Sequence, residues 1–355
     1  MLTLEDASLI DGAKPEGIAA NPQIYSPIAT GNGAYVVHQR LARQLVGYQI
    51  AGYSPWLTLC PPLLLGLHRP ADILHTTPDY APFLWRRDQR RVITLHNYVL
   101  DPFMQAYSSA LQRLHYRTDL RAFTRRALAG ADIVTAVSAA TAARAQEDLG
   151  FSGPIRVIYN GIDTDLFKPS SAPRTERSGP LRVLFCGNPT RRKGAHWLPA
   201  IIRGAGRGFE FWITAGLRGQ PQLGRLAELP NVRLIPPRPH AAMPELYRTA
   251  DVLLAPTVRE GHSLAILEAM ACGLPLVASA LPEVAETVCH SAGGFLLPLG
   301  KTDDFVAALQ QLRDNVVLRL QFGQYNARQV ISEGWTETRM VEDYRQLFAS
   351  LASGD

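Results

Sequence analysis

At 355 residues the chain exceeds what one ordinary hydrophobic core organises, so two domains are expected. Hydrophobic residues make up 46% and charged residues 19%, which excludes long disorder and fibrous repeats. The net charge of +5 points toward an anionic partner, and it is concentrated: nine arginines against Asp88, Asp101 and Asp119 give residues 86–126 a net of +6.

No apolar run reaches 18 residues, so no transmembrane helix is expected. The start, MLTLEDASLIDGAKPEG, lacks the basic-then-apolar order of a secretory signal. Cys60, Cys186, Cys272 and Cys289 show no CxxC spacing and read as reduced thiols of a cytosolic protein.

In chain order, residues 1–20 read as a loose N-terminal arm. Strands are expected at 72–76, 91–95, 132–137 and 155–158, and helices at 34–46, 103–128 and 138–149. KPSSAPRTERSGP (168–180) is the best linker. Alternation then restarts with strands at 181–186, 209–214, 231–235, 251–255 and 275–278. Helices are expected at 195–203, 242–249, 263–272, 303–313 and 337–350. Two α/β halves of similar size, each with a parallel sheet, would face each other across a cleft, with ligands at the carboxyl ends of the strands.

The densest chemical signal is PTVREGHSLAILEAMACGLPLVAS (256–279). A strand ends near Ala255, and a loop carries Glu260 and Gly261. A helix starts near Ser263, a suitable N-cap residue, and its free N–H groups suit a diphosphate. Glu268 follows Glu260 by eight residues, and carboxylates accept well from sugar hydroxyls. Two glutamates at this spacing alone would be ordinary surface charges; the surrounding residues set them apart. The same holds for His96 at a strand end, Lys193 among basic residues, and Gly31 and Gly33 in a turn.

This segment resembles the signature of the retaining glycosyltransferase family 4. Other stretches match in order: Gly31-Asn32-Gly33 before a helix, ITLHN with His96, VIYNGIDTDLFKP (157–169), VLFCGNPTRRKG (183–194), LYRTADVLLAP, PEVAETV and GGFLLP. The resemblance implies a GT-B fold of two Rossmann-like domains: 21–168 for the acceptor, 169–180 as linker, 181–334 for the nucleotide sugar, and 335–355 as a helix returning to the first domain. It implies that Glu260 contacts the donor sugar and that Glu268 holds the ribose. Gly261, His262, Ser263 and Leu264 would receive the diphosphate or sugar, and Lys193 would neutralise the leaving diphosphate. His96 would stand across the cleft, and Gly33 would permit close approach. The family's usual arginine after Gly187 is Asn188 here, which makes Arg191 or Arg192 the expected second cation. No metal or other cofactor is expected.

Arg113, Arg117, Arg121 and Arg125 recur every four residues and would form one helical stripe. They read either as a solvated face or, with Arg86, Arg87, Arg90 and Arg91, as a surface for anionic lipid or a lipid-linked acceptor. No nucleic-acid module is present. The expected function is retaining glycosyl transfer from a UDP- or GDP-sugar in bacterial surface polysaccharide, lipopolysaccharide or lipid-linked glycan synthesis. It would take place in the cytoplasm or at the inner face of the membrane. A phosphorylase on this fold would need a cofactor lysine and a longer chain. The competing class is a non-catalytic sugar-nucleotide-binding scaffold, for which Asn188 is the only support.

Overall fold

The computed structural model describes residues 22–171, 179–214 and 220–353. The arm at 1–20 and residues 172–178 of the linker lie outside the described residues.

Among the described residues two six-stranded parallel sheets form. The first orders its strands β2-β1-β3-β4-β5-β6. These are β1 Ile24–Ala29, β2 Tyr48–Tyr53, β3 Ile73–Thr76, β4 Arg90–Leu95, β5 Ile133–Ala136 and β6 Ile155–Val157. The second orders them β12-β11-β10-β7-β8-β9. These are β7 Leu181–Phe185, β8 Phe209–Thr214, β9 Val232–Ile235, β10 Val252–Ala255, β11 Leu276–Ser279 and β12 Gly294–Leu297. Chain order reverses between β1 and β3 in one sheet and between β7 and β10 in the other. A crevice opens above the strand ends at such a reversal.

The N-terminal half carries α1 Gly33–Gln44, α2 Pro102–Gln105, α3 Ala110–Arg117, α4 Asp119–Ala129 and α5 Ala139–Leu149. The C-terminal half carries α6 Leu198–Ala205, α7 Gln220–Ala227, α8 Met243–Thr249, α9 Leu264–Ala271, α10 Pro282–Ala285, α11 Thr302–Asp314 and α12 Val316–Ser332. The last helix, α13 Glu337–Ser353, buries Met340, Val341, Tyr344, Leu347 and Phe348 against Val37, Leu41 and the β1 and β3 residues Ile24 and Ile73. Where the chain crosses between halves, Ile162 pairs with Thr336, and Glu337 N donates to Ile162 O at 2.8 Å.

Two expectations need correction. The helix expected over 103–128 is three helices. Ser109 starts α3 with a capping box to Gln112, and Thr118, at φ −106° and ψ −97°, separates α3 from α4. The arginine stripe is therefore split, and Arg121 is held by Asp148 at 2.8 Å. Strands β1, β2 and β12 were not read from the sequence. Pro27 inside β1 removes a ladder donor and argues against a central strand. Here its carbonyl takes a 2.7 Å bond from Thr76 Oγ1, and neighbours on both sides bury it.

Candidate active site

The loop after β10 and the start of α9 sit above the strand ends of the second sheet. Glu260, 6% exposed, is the centre. Its Oε1 accepts from Lys193 Nζ at 2.5 Å and Thr257 Oγ1 at 2.9 Å, and Arg192 Nη1 lies 3.6 Å from Oε2. Burial alone would raise the carboxyl pKa. The charges of Lys193 and Arg192, with the bonds from Lys193 and Thr257, overcome burial and hold it below the usual value. The site therefore keeps a buried anion beside two cations. Of the two candidates for the second cation, Arg192 reaches Glu260, whereas Arg191 is exposed. Asn188 is half-buried, and its carbonyl accepts from Thr190 N at 2.8 Å.

Two glycines let this site close. A Cβ on Gly194, at φ +77°, would fall 1.8 Å from Pro256 O, so the basic loop can lie against the glutamate loop only with glycine there. A Cβ on Gly261 would fall 2.0 Å from His96 O and 2.8 Å from Val137 Cγ2. The glutamate loop of the C-terminal half therefore touches the main chain of His96, just past β4. The space around Gly33, the first residue of α1, is open, so no close approach needs that glycine in this state.

Ser263 stands at the N-cap of α9 without a side-chain bond to the helix, contrary to its expected capping role. The first turn is left uncapped by any side chain beside a tight crevice, with room for about 10 Å³, lined by Cys186, Lys193, Thr257, Glu260, Ser263 and Ile266. That is far below the range of ordinary ligand pockets, roughly 300–1,000 Å³. Leu264 packs against cores of both halves. The His262 ring turns away from the crevice, edge-on to Tyr159 and Trp335. Burial pulls its pKa down to about 3, and its carbonyl accepts from Asn160 at 2.7 Å.

Glu268 lies one turn into α9 with partners of its own. Its Oε1 faces Arg40 Nη2 at 3.3 Å and His240 Nε2 at 3.2 Å, and Oε2 accepts from Tyr247 Oη at 3.0 Å. Arg40 comes from α1, so the two halves meet at this carboxylate too. Glu260 and Glu268 share no hydrogen-bonding or ionic partner among the described residues. Cys186, at the end of β7, lines the crevice and takes a 3.2 Å contact from Tyr247 Oη.

The sequence reading missed the charges that join the halves. Arg259 is fully buried; it binds Asp101 and reaches Glu283 Oε1 at 3.0 Å. Arg144 lies 3.0 Å from Glu283 Oε1 and 3.5 Å from Asp101. Glu286 accepts from Ala139 N at 2.9 Å, from Ala140 N at 2.5 Å and from Tyr159 Oη at 3.1 Å, closing the start of α5. Arg259 adjoins Glu260 in sequence, and Glu283 and Glu286 lie in PEVAETV. Their neighbourhood was therefore visible, but their partners were not.

Residues 21–166 match the family described as Glycosyltransferase Family 4, and residues 180–315 match Glycosyl transferases group 1. The chain belongs to glycosyltransferase family 4. The D-inositol 3-phosphate glycosyltransferase of Paenarthrobacter aurescens is 28% identical over 218 residues, 56% of this chain and 53% of that protein. The one from Corynebacterium jeikeium is 30% identical over 203 residues, 51% and 48% of the two chains. The family 4 chain described here thus spans about half the length of the curated relatives it matches. Among solved structures, sucrose-phosphate synthase from Thermosynechococcus elongatus superposes with a TM-score of 0.75 at 20% identity, covering 92% of this chain and 100% of that one. Anabaena HepE, solved with UDP and glucose, gives 0.71 at 18% identity, covering 93% and 100%. These likenesses establish the GT-B fold: two Rossmann-like sheets facing a cleft.

Proposed function

We propose that this protein transfers a glycosyl group from a nucleoside diphosphate sugar to an acceptor hydroxyl, with retention at the anomeric carbon. The observation that carries this reading is the buried Glu260 carboxylate, clamped by Lys193 and Arg192 beside the uncapped start of α9, on a loop that touches the main chain of His96. A diphosphate leaving group needs positive charge where its negative charge develops. Two cations and a row of helix N–H groups supply it without a metal ion. Glu260 would turn to the donor sugar as Lys193 turns to the phosphates, and Glu268 would exchange Arg40 for the ribose diol. The crevice is too narrow for this exchange, so the halves would part to admit the donor and close again for transfer. HepE has been solved with UDP-glucose, which makes a UDP-sugar the first donor to try, with a GDP-sugar second.

The acceptor would dock on the N-terminal half, as a lipid-linked bacterial surface glycan at the cytoplasmic face of the membrane. The support is surface chemistry. Helix α3 buries no side chain; Leu111 (77% exposed) and Leu114 (60%) stand beside Arg113 and Arg117. Trp56 and Leu59, each 78% exposed, lie on the 3-10 turns at 55–67. Among the described residues no helix is long and apolar enough to cross a membrane. An amphipathic basic face of this kind suits an anionic interface.

The test is release of nucleoside diphosphate from UDP- and GDP-sugars, with and without acceptor extract. Turnover that E260Q lowers about 10²–10³-fold, with nucleotide binding much less affected, supports the reading. Binding without any release would favour the non-catalytic scaffold.

A further inference from the structure

A chain of hydrogen bonds runs from the cleft into the N-terminal core. His96 Nε2 lies 3.0 Å from His38 Nε2. His38 Nδ1 meets Ser26 Oγ at 2.6 Å and Tyr48 Oη at 2.9 Å. Tyr48 Oη continues to His75 Nδ1 at 2.7 Å, and His75 Nε2 to Thr94 Oγ1 at 2.7 Å. Thr94 closes the chain on Thr135 Oγ1 at 2.7 Å and Tyr344 Oη of α13 at 3.4 Å. His38 and His75 are wholly buried and stacked, with ring centroids 4.3 Å apart.

Space-filling does not call for this arrangement, since apolar side chains would fill the core without any need for partners. Polar groups are tolerated there only when matched, and both nitrogens of His38 and of His75 are matched. Of the six nitrogens in these three rings, the one left without a protein partner among the described residues is Nδ1 of His96, at the cleft end. A neutral imidazole has one N–H, so whatever Nε2 does decides what Nδ1 offers.

We infer that His38 is a positioning residue for the transfer reaction: its Nε2···Nε2 bond holds the His96 ring in place and ties the His96 tautomer to the buried chain behind it. The inference rests on the reading of His96 as a substrate contact. If His38 donates, His96 Nδ1 carries the proton and faces the cleft as a donor. If His38 accepts, Nδ1 is an acceptor. Rotating hydroxyls at the inner end satisfy either direction. In both cases His96 stays uncharged and offers a sugar hydroxyl a hydrogen bond, leaving the positive charge to Lys193 and Arg192. Burial, which lowers the basicity of all three rings, acts in the same sense.

The experiment uses the full chain with 15N-labelled histidine and long-range 1H–15N spectra between pH 5.5 and 8, with the His96 signals assigned by H96A. The expected wild-type result is a neutral His96 with one dominant tautomer across this range. In H38L the two His96 nitrogen shifts should move toward each other as both tautomers populate, and H38Q, which keeps a hydrogen-bonding group, should restore the wild-type pattern. With UDP-glucose as the probe, H38L should lower kcat for UDP release about 10–100-fold with little change in KM, as lost orienting partners do elsewhere. H38L added to H96A should cost nothing further. His96 shifts that are the same in H38L and wild type would overturn the inference, as would losses that multiply in the double variant. If H38L does not fold, H38A, which removes the same ring nitrogen without adding bulk, should move the two His96 nitrogen shifts in the same way, and unmoved shifts in it would overturn the inference. If H96A leaves turnover intact, the substrate-contact reading of His96 falls, while the spectra still decide whether His38 sets its tautomer.

Discussion

The N- and C-terminal sheets reverse strand order in the same way, yet the space above their strand ends is filled with opposite chemistry. Over β7 and β10 stand charges: Glu260, Lys193 and Arg192, brought together by two adjacent loops. Over β1, β3 and β4 stand neutral rings: His38, His75 and His96, linked through hydroxyls. The difference fits a division of labour in which one side stabilises developing negative charge and the other orients an uncharged sugar. The charged side answers mainly to single substitutions, and the neutral side answers to pH.

The largest expected effect lies where the two sides are joined. R259M leaves Asp101 and Glu283 buried with only Arg144 near them, and breaking a buried ion cluster in this way costs about 3–5 kcal/mol. Urea unfolding should show the loss, and small-angle scattering should show the halves moving apart. An unchanged unfolding midpoint would mean the cluster does not hold them together.

Next is K193A, expected to lower nucleoside diphosphate release by about 10²–10³-fold, or roughly 3–4 kcal/mol. An effect below about tenfold would place the working cation elsewhere.

The neutral side should respond to acid. His38 and His75 have folded pKa values well below the unfolded value of about 6.5, so the native state binds fewer protons than the unfolded state. Their contribution is fully present above pH ~6.5 and is lost as pH falls below it, at about 1.4 kcal/mol per pH unit for each ring. Urea unfolding at pH 7.5 and 5.5 measures this, and H38L/H75L should lose correspondingly less between the two. Equal losses in the double variant and the wild type would show that other groups set the acid response.

The smallest effect is at the surface. R113E/R117E should weaken binding to phosphatidylglycerol vesicles by about 1 kcal/mol per arginine removed, and W56S should weaken it further. Vesicle binding unaffected by all three substitutions would leave the membrane out of the account.

The charged side was legible in the sequence because its parts are contiguous. Residues 256–279 hold strand end, loop, glutamates and helix, and the basic loop needs only one more strand to arrive beside them. Choosing between Arg191 and Arg192 required geometry, as did finding that the His262 ring packs on Tyr159 and Trp335. Of the neutral side only His96 was legible; its partner His38, 58 positions away, and the junction were not, because the junction's pairs span great lengths of chain. Arg40 meets Glu268 across 228 positions, and Arg259 meets Asp101 across 158. His38 reads locally as one more residue of a helix face, and only the fold places it against His96. In the same way, β1 was hidden by Pro27, and the break at Thr118 by the unbroken helical spacing around it.

The central claim is that a nucleotide sugar binds where Lys193 and Glu260 meet. The most direct measurement is thermal unfolding of wild type and K193A with UDP, GDP, ADP, dTDP and their glucose conjugates. The account predicts a selective rise with one base, about 2.7 kcal/mol of stabilisation at 100 times the dissociation constant, strongly reduced in K193A. No rise with any nucleotide, or a rise that K193A leaves intact, would contradict it.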